Sequence, residues 1–281
     1  MPIYKPSELH KFLEELGVHP KKRLSQNFLI DGNILRKIVA TAKVSPGDLV
    51  VEIGPGPGSL TEVLLSNGAH VIAVEKDPIF AQALHRLEGE GRQLDVFCDD
   101  IMDFPLESVI ASKLKAGQKA KVIANLPYHL TTPIITKLIT MTHCFSTLVL
   151  MVQEEVARRF VASPGTSDYS SISVFLNFYS SPAYAFMVGR QCFYPSPKVD
   201  SAIVSLSLKQ PPLVANQEAF FTMTRTAFKH RRKMLRGSLR DLYAPNAVEA
   251  ALTSMGKNPL SRPEELSLDD FLCLYQMLFK T

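Results

Sequence analysis

The chain has 281 residues, enough for one large domain and a smaller second one. It is 46% hydrophobic and 21% charged with a net charge of +4, the composition of an ordinary globular protein. That charge permits a nucleic-acid partner without requiring one. Cys98, Cys144, Cys192 and Cys273 lie far apart and form no CxxC pair, which excludes zinc-type spacing. A reduced, cytoplasmic protein without a metal is the simple reading.

Residues 1–24 read as a short amphipathic helix followed by a basic loop, Lys21-Lys22-Arg23. Lys5, Glu8 and Lys11 occupy the place of a signal peptide's apolar core, so none is expected. A helix follows Asn33, with Ile34, Ile38 and Val39 on one face. Strands are then predicted at 48–53, 70–75, 94–98, 121–125 and 146–152, alternating with helices at 59–67, 78–87, 131–142 and 153–161. Such alternation predicts an α/β fold with a mostly parallel sheet. The apolar run from Thr147 to Val152 is too short to span a bilayer. A helix at 170–179 precedes two strands at 183–188 and 201–208, read as an antiparallel hairpin edge.

Pro211 and Pro212 break this pattern and mark a linker. The expected division is therefore a first domain over 1–210 and an all-helical one over 211–281. Helices are predicted at 217–227, 229–243, 246–254 and 267–279. From residue 211 onward there are 10 Lys and Arg against 7 Asp and Glu, so most of the basic excess is local to this region.

The richest segment of the first domain is Glu52-Ile53-Gly54-Pro55-Gly56-Pro57-Gly58, a glycine turn after an apolar strand. Its spacing is GxGxG, not the GxGxxG of dinucleotide proteins. Pro55 and Pro57 carry no backbone N–H, and a loop that cradles a pyrophosphate needs those donors. The loop suits a ligand without phosphates, and S-adenosylmethionine is such a ligand. Glu75 ends the next strand, where a carboxylate accepts ribose hydroxyls. Asp100 follows the third strand and is placed to accept from an adenine amino group, with Asp99 the competing choice.

Asn125-Leu126-Pro127-Tyr128 lies just past the fourth strand, at the edge where open parallel sheets bind ligands. The exocyclic nitrogen of adenine is a poor nucleophile, because its lone pair is delocalised into the ring. Acceptors on its two N–H groups would free that pair. The Asn125 side chain supplies one and the Leu126 carbonyl the other. Pro127 holds Leu126 extended, and Tyr128 offers a ring face for the base. Together with the glycine loop, these residues predict a methyltransferase acting on the amino group of adenine. Phe193, ahead of Pro195 and Pro197, is a candidate cover for the opposite face of the base; the alternative is a core aromatic beneath a loop.

Arg225, Lys229, Arg232, Arg236 and Arg240 are spaced 4, 3, 4 and 4 apart, which predicts one stripe along a helical segment. Arg231 and Lys233 broaden it, and no acidic residue falls between 225 and 240. Such a stripe suits phosphate tracking, whereas the bland alternative is a solvated charged face. The loop at Lys21-Lys22-Arg23 is a candidate addition.

Five motifs occur in order: Gln26-Asn27-Phe28-Leu29, the Glu52–Gly58 loop with Glu75, Asp100, Asn125–Tyr128, and Phe193-x-Pro-x-Pro-x-Val199-x-Ser201. In this the chain closely resembles the ribosomal RNA adenine dimethyltransferases, and most their bacterial small-subunit branch, over nearly its whole length. The resemblance implies a Rossmann-like fold with a small all-helical C-terminal domain. It implies S-adenosylmethionine-dependent dimethylation of N6 on two adjacent adenosines near the 3′ end of small-subunit (16S) ribosomal RNA, during subunit biogenesis. It also implies that Asn27 and Leu29 touch the cofactor beside Gly54, Glu75, Asp100 and Asn125. The expected protein is a cytoplasmic monomer without a metal. Two departures stand out: Ser25 occupies an expected glycine position, and Asp168-Tyr169-Ser170-Ser171 lacks the expected glycine and basic residue. The competing functions are a nicotinamide dehydrogenase, a non-catalytic assembly factor and a large-subunit RNA methylase.

Overall fold

The structure is a computed structural model that describes residues 3–20, 26–230 and 233–279. It divides into two compact units, Met1–Ala157 with Ala183–Lys209, and Arg158–Pro182 with Gln210–Thr281. The expected division at 210 differs from this, because 158–182 groups with the C-terminal residues.

The chain opens with α1 (Pro6–Glu15) and a two-residue strand, β1 (Phe28–Leu29). Helix α2 (Gly32–Thr41) starts where it does because the Asp31 carboxylate accepts from the N–H groups of Asn33 and Ile34. Strand β2 (Leu49–Ile53), helix α3 (Ser59–Ser66) and strand β3 (His70–Glu75) form the first parallel crossover. Helix α4 (Pro78–Leu84) is capped by Asp77, with proline in its first turn. Strand β4 (Gln93–Cys98), helix α5 (Leu106–Ala111) and strand β5 (Ala120–Asn125) follow. Next come α6 (Thr131–Ile139), β6 (Phe145–Gln153), α7 (Glu154–Val161) and α8 (Ser171–Tyr179). Strands β7 (Ser180–Val188), β8 (Phe193–Tyr194) and β9 (Ser201–Leu208) complete the strands.

Seven strands form one sheet in the order β4-β3-β2-β5-β6-β9-β7, while β1 and β8 pair separately. Strands β2 to β6 run parallel, and β9 lies antiparallel to β6. The expected edge pair is there, with β9 inside and β7 outermost. Every residue of β2 is buried, which is why that strand reads as a continuous apolar run. Each such Val or Ile contributes about 1.5–3 kcal/mol by burial. The strand order reverses between β2 and β5. Their neighbouring C-terminal ends leave a crevice where a ligand can reach several loops at once.

Among its described residues the second unit contains the end of α7, α8, α9 (Gln217–Lys229), α10 (Leu235–Ser238), α11 (Pro245–Ser254) and α12 (Leu268–Phe279). Residues 158–182 belong here for a packing reason. Phe175 and Phe178 of α8 meet Phe221 of α9 edge-to-face, both at 5.0 Å between ring centres. Pairs of this kind are worth about 0.5–1.5 kcal/mol each beyond their buried area.

The predicted helix at 229–243 does not form as one element. Helix α9 ends at Lys229, where His230 leaves helical geometry. Met234 is extended, and the Leu235 N–H donates to the Ser261 carbonyl at 2.9 Å. A backbone donor committed to a distant carbonyl cannot serve an upstream turn, so the next helix starts only at Leu235.

Candidate active site

One cavity at the C-terminal end of the parallel strands collects residues from five segments. Asn27 and Leu29 come from around β1, Gly54 and Gly56 from the loop after β2, Glu75 from the end of β3, Asp99 and Asp100 from after β4. Asn125, Leu126, Pro127 and Tyr128 come from the end of β5. Residues spread over a hundred positions of sequence thus converge on one site.

The glycine loop holds itself together with its own donors. Gly54 N–H donates to the Val74 carbonyl at 2.9 Å, and Gly58 N–H to the Pro55 carbonyl at 3.0 Å. Gly56 N–H donates to Glu75 Oε2 at 2.9 Å. With the two prolines lacking a donor, all five positions are closed to a pyrophosphate. Gly58 begins α3 at φ +90°, and a Cβ there would lie 2.7 Å from Leu84 Cδ2. Gly54 has open space where its Cβ would be, so a ligand can approach the backbone closely.

The Glu75 carboxylate accepts from Gly56 N–H and, at 2.8 Å, from Asp77 N–H. Each oxygen takes one backbone donor and keeps a second lone pair for a ligand hydroxyl. Burial raises its pKa, and these two N–H groups oppose that rise. Asp100 accepts from Lys76 Nζ at 2.6 Å and from Met102 N–H at 2.9 Å, and the Lys76 contact lowers its pKa. Asp99 accepts from Asp100 N–H at 2.7 Å. The loop carrying both aspartates is tied down by Lys137 of α6, whose ammonium donates to the carbonyls of Ile101, Met102 and Phe104 at 2.8, 2.7 and 3.3 Å.

Asn125 is held in one orientation. Its Nδ2 donates to the Asn27 carbonyl at 3.0 Å, which leaves the side-chain carbonyl as the free end. The Pro127 carbonyl is taken by Leu130 N–H at 2.9 Å and by the Thr131 hydroxyl at 3.3 Å. Among the described residues, no backbone bond takes the Leu126 carbonyl. The Tyr128 hydroxyl meets Ser201 Oγ of β9 at 3.0 Å, which fixes the ring beside these two acceptors.

Two expected groupings do not form. Phe193 does not line the cavity: it is 3% exposed, pairs with Leu29 through β1 and β8, and sits in the main apolar core. The alternative reading as a core aromatic describes its position. The basic residues of the second unit do not form one helical stripe, because α9 stops at Lys229. Arg225 and Lys229 lie on α9, Arg236 on α10 is ion-paired with Glu249, and Arg240 lies 3.6 Å from Asp241. Arg232, Arg231, Ser25 and the Lys21–Arg23 loop lie outside the described residues.

Sequence reasoning missed Glu52, Lys137 and the tie between Tyr128 and Ser201. Glu52 left a signal: a carboxylate in an otherwise apolar strand. Lys137 left none, because its targets are backbone carbonyls more than thirty residues away.

The ribosomal RNA adenine dimethylase family matches this chain over residues 18–280. The chain belongs to the ribosomal RNA adenine dimethylases. Family relatives include the ribosomal RNA small subunit methyltransferase A of Protochlamydia amoebophila, 59% identical over 100% of this chain and 99% of the relative. The protein of the same name from Chlamydia felis is 47% identical over 97% and 95%. Among solved structures, a dimethyladenosine transferase from Plasmodium falciparum matches with a TM-score of 0.74 at 28% identity, covering 90% of this chain and 98% of the other. The 23S rRNA methyltransferase ErmE matches at 0.69 and 25% identity, covering 90% and 100%. The dimethylase fold is thus the Rossmann-like methyltransferase fold. No helix of the described residues is long and apolar enough to cross a membrane.

Proposed function

We propose that this dimethylase converts two adjacent adenosines near the 3′ end of small-subunit ribosomal RNA to N6,N6-dimethyladenosine, using S-adenosylmethionine, during subunit assembly in the cytoplasm. The observation that carries the reading is the Asn125 amide. Its nitrogen is spent on the Asn27 carbonyl, so its oxygen is the end left for an incoming amino group.

The residues of the cavity fit the cofactor. Its lining holds Glu75, Asp99 and Asp100 against Lys76, an acidic excess that suits a net cationic ligand. The glycine loop offers close approach at Gly54 and no phosphate cradle. That argues against the dehydrogenase alternative. Glu75 would accept the ribose hydroxyls, Asp100 or Asp99 the adenine amine, Gly54 would admit the amino acid end, and Asn27 and Leu29 would touch the cofactor beside them. When bound, the cofactor supplies an electrophilic methyl group on a sulfonium.

The protein's own part is orientation. The Asn125 side-chain carbonyl and the Leu126 carbonyl accept the two N–H groups of the target amine, which turns its lone pair outward. Tyr128, anchored through Ser201, stacks against the base. No strong base is required at this step. Arg225 and Lys229 of α9 supply phosphate contacts, with Arg240 in a secondary role and Arg232 a candidate from sequence. We infer a monomer that needs no metal. The small subunit is favoured over the large because relatives of up to 59% identity carry the small-subunit name.

The test is transfer of labelled methyl groups to unmethylated small-subunit particles, with large subunits as control and nucleoside analysis afterwards. Dimethyladenosine on the small subunit alone is expected. Label on the large subunit would transfer the reading to the other branch, and bound cofactor without label would leave a non-catalytic assembly factor.

A further inference from the structure

Glu52 stands apart from every other acid of the cavity. Among the described residues it joins no ion pair and caps no helix. Its side chain is 1% exposed, and among the described residues Oε2 has no hydrogen-bond partner. Thr61 Oγ1, on the first turn of α3, is fully buried and equally unpartnered. The other acids of the lining are all engaged: Glu75 with two backbone N–H groups, Asp100 with Lys76, Asp99 with a backbone N–H. A lone carboxylate in a buried site would be strongly destabilising if ionised.

The surroundings say which form Glu52 takes. On the sheet its neighbours are Ala73 of β3 and Ile123 of β5, both apolar. From α3 it faces Thr61, and from the end of β3 Glu75. The remaining charged or titratable side chains of the lining are Lys76, Asp99, Asp100, Tyr128 and His129. Burial pushes the Glu52 carboxyl up to about 8. The Thr61 hydroxyl opposes this without reaching hydrogen-bond geometry, and the charge of Glu75 adds to it. No lysine or arginine among the described residues pulls it down.

We propose that Glu52 is a proton-release partner for the cofactor, neutral in the free protein and ionised when the cationic ligand occupies the cavity. The inference rests on the reading of the cavity as an S-adenosylmethionine site. The Glu52 O–H bond breaks, its electron pair stays on the carboxylate oxygen, and the proton passes to solvent. The carboxylate then balances a ligand with a sulfonium, an ammonium and one carboxylate, net +1. The demethylated product, S-adenosylhomocysteine, has no sulfonium and is net neutral. Glu52 therefore discriminates between substrate and product by charge: it favours the charged ligand and takes its proton back when the neutral one remains. Below the Glu52 pKa, affinity for S-adenosylmethionine rises with pH by at most about tenfold per pH unit, and affinity for the product rises less.

Titration calorimetry of the full chain near neutral pH, in buffers of different ionisation enthalpy, reads the protons exchanged on binding. Comparing wild type with Glu52→Gln cancels protons that belong to the ligand itself. Wild type is expected to release about one proton more than the variant on binding S-adenosylmethionine, and clearly less than that excess on binding S-adenosylhomocysteine. Equal proton release by both proteins, with both binding, overturns the inference and leaves the cofactor reading intact. Failure of wild type to bind S-adenosylmethionine removes the cofactor reading and this inference with it. Should Glu52→Gln not fold, the infrared carbonyl band of a buried carboxylic acid in wild type decides. It loses intensity on adding S-adenosylmethionine if Glu52 ionises, and an unchanged intensity refutes the proposal.

Discussion

At the residue scale, the site is a matter of which end of each polar group is free. Asn125 has one amide end fixed by Asn27 and the other open to the cavity. Replacing it with alanine would remove the acceptor proposed for the reacting amine. Transfer is expected to fall by at least about 100-fold, the scale seen when a positioned polar group at a reacting centre is lost. Cofactor binding should persist at reduced strength, because Glu75 and Gly54 are untouched. Rapid-quench transfer rates beside equilibrium binding would separate the two effects, and a variant with full activity would remove Asn125 from the centre.

Glu52 gives a stability prediction with a defined sign. Its folded pKa, about 8, lies above the ordinary 4.5. Between these values the folded state holds a proton that the unfolded chain has released. Stability from this group is therefore fully present below about pH 4.5 and is lost as pH rises toward 8, at up to about 1.4 kcal/mol per pH unit. Glu75 is raised in the same direction, so the informative quantity is a difference between proteins. Denaturant unfolding of wild type and Glu52→Gln from pH 5 to 9 should show the variant gaining relative stability as pH rises. Parallel curves would mean that Glu52 is not buried in neutral form.

At the element scale, the parallel strands were legible because burial on both faces makes them continuous apolar runs; β2 and β3 fall within one residue of expectation. Site residues sat at strand ends, and strand ends were readable, so Gly54, Glu75, Asp100 and Asn125 could be placed around one crevice. The failures have physical causes. Leu235 and Leu239 keep helical spacing with the arginines, but the Leu235 N–H is committed to Ser261, a partner that no local pattern announces. Phe193 reads equally well as a stacking ring or a core ring, and only its pairing with Leu29 distinguishes them. Helix α5 went unread, since six residues after Pro105 show too few turns for a periodic signal. The function was legible mainly through ordered motifs, whereas the supporting contacts were not.

Lys137 is the clearest of those supports. One ammonium holds three carbonyls of the loop that carries Asp99 and Asp100. Lys137→Met keeps the apolar stem and removes the charge. Cofactor affinity is expected to fall about tenfold, near 1.4 kcal/mol, in line with a lost charged hydrogen bond. Unchanged affinity in an equilibrium titration would mean that the loop holds its shape without this tie.

At the scale of the whole molecule, the cavity and the proposed RNA contacts fall to different units. The cavity is built within the first unit, and the candidate phosphate contacts Arg225 and Lys229 lie in the second. Arg236 already spends its charge on Glu249, so it is a weaker candidate than its spacing suggested. Reversing Arg225 and Lys229 to glutamate should weaken RNA binding and lower the salt dependence by about one unit of slope per lost phosphate contact. Cofactor affinity should not change. An unaltered salt slope would place the RNA surface elsewhere.

The most direct test of the account maps the methylated positions. Dimethyladenosine cannot form a Watson–Crick pair, so reverse transcription stops at it. Unmethylated small-subunit particles would be treated with wild type or Asn125→Ala, each with S-adenosylmethionine, and cofactor binding would be measured on the same samples. The account predicts stops at two adjacent adenosines near the 3′ end with wild type, and none with a variant that still binds cofactor. Stops at other positions, or stops that survive the Asn125 substitution, would contradict it.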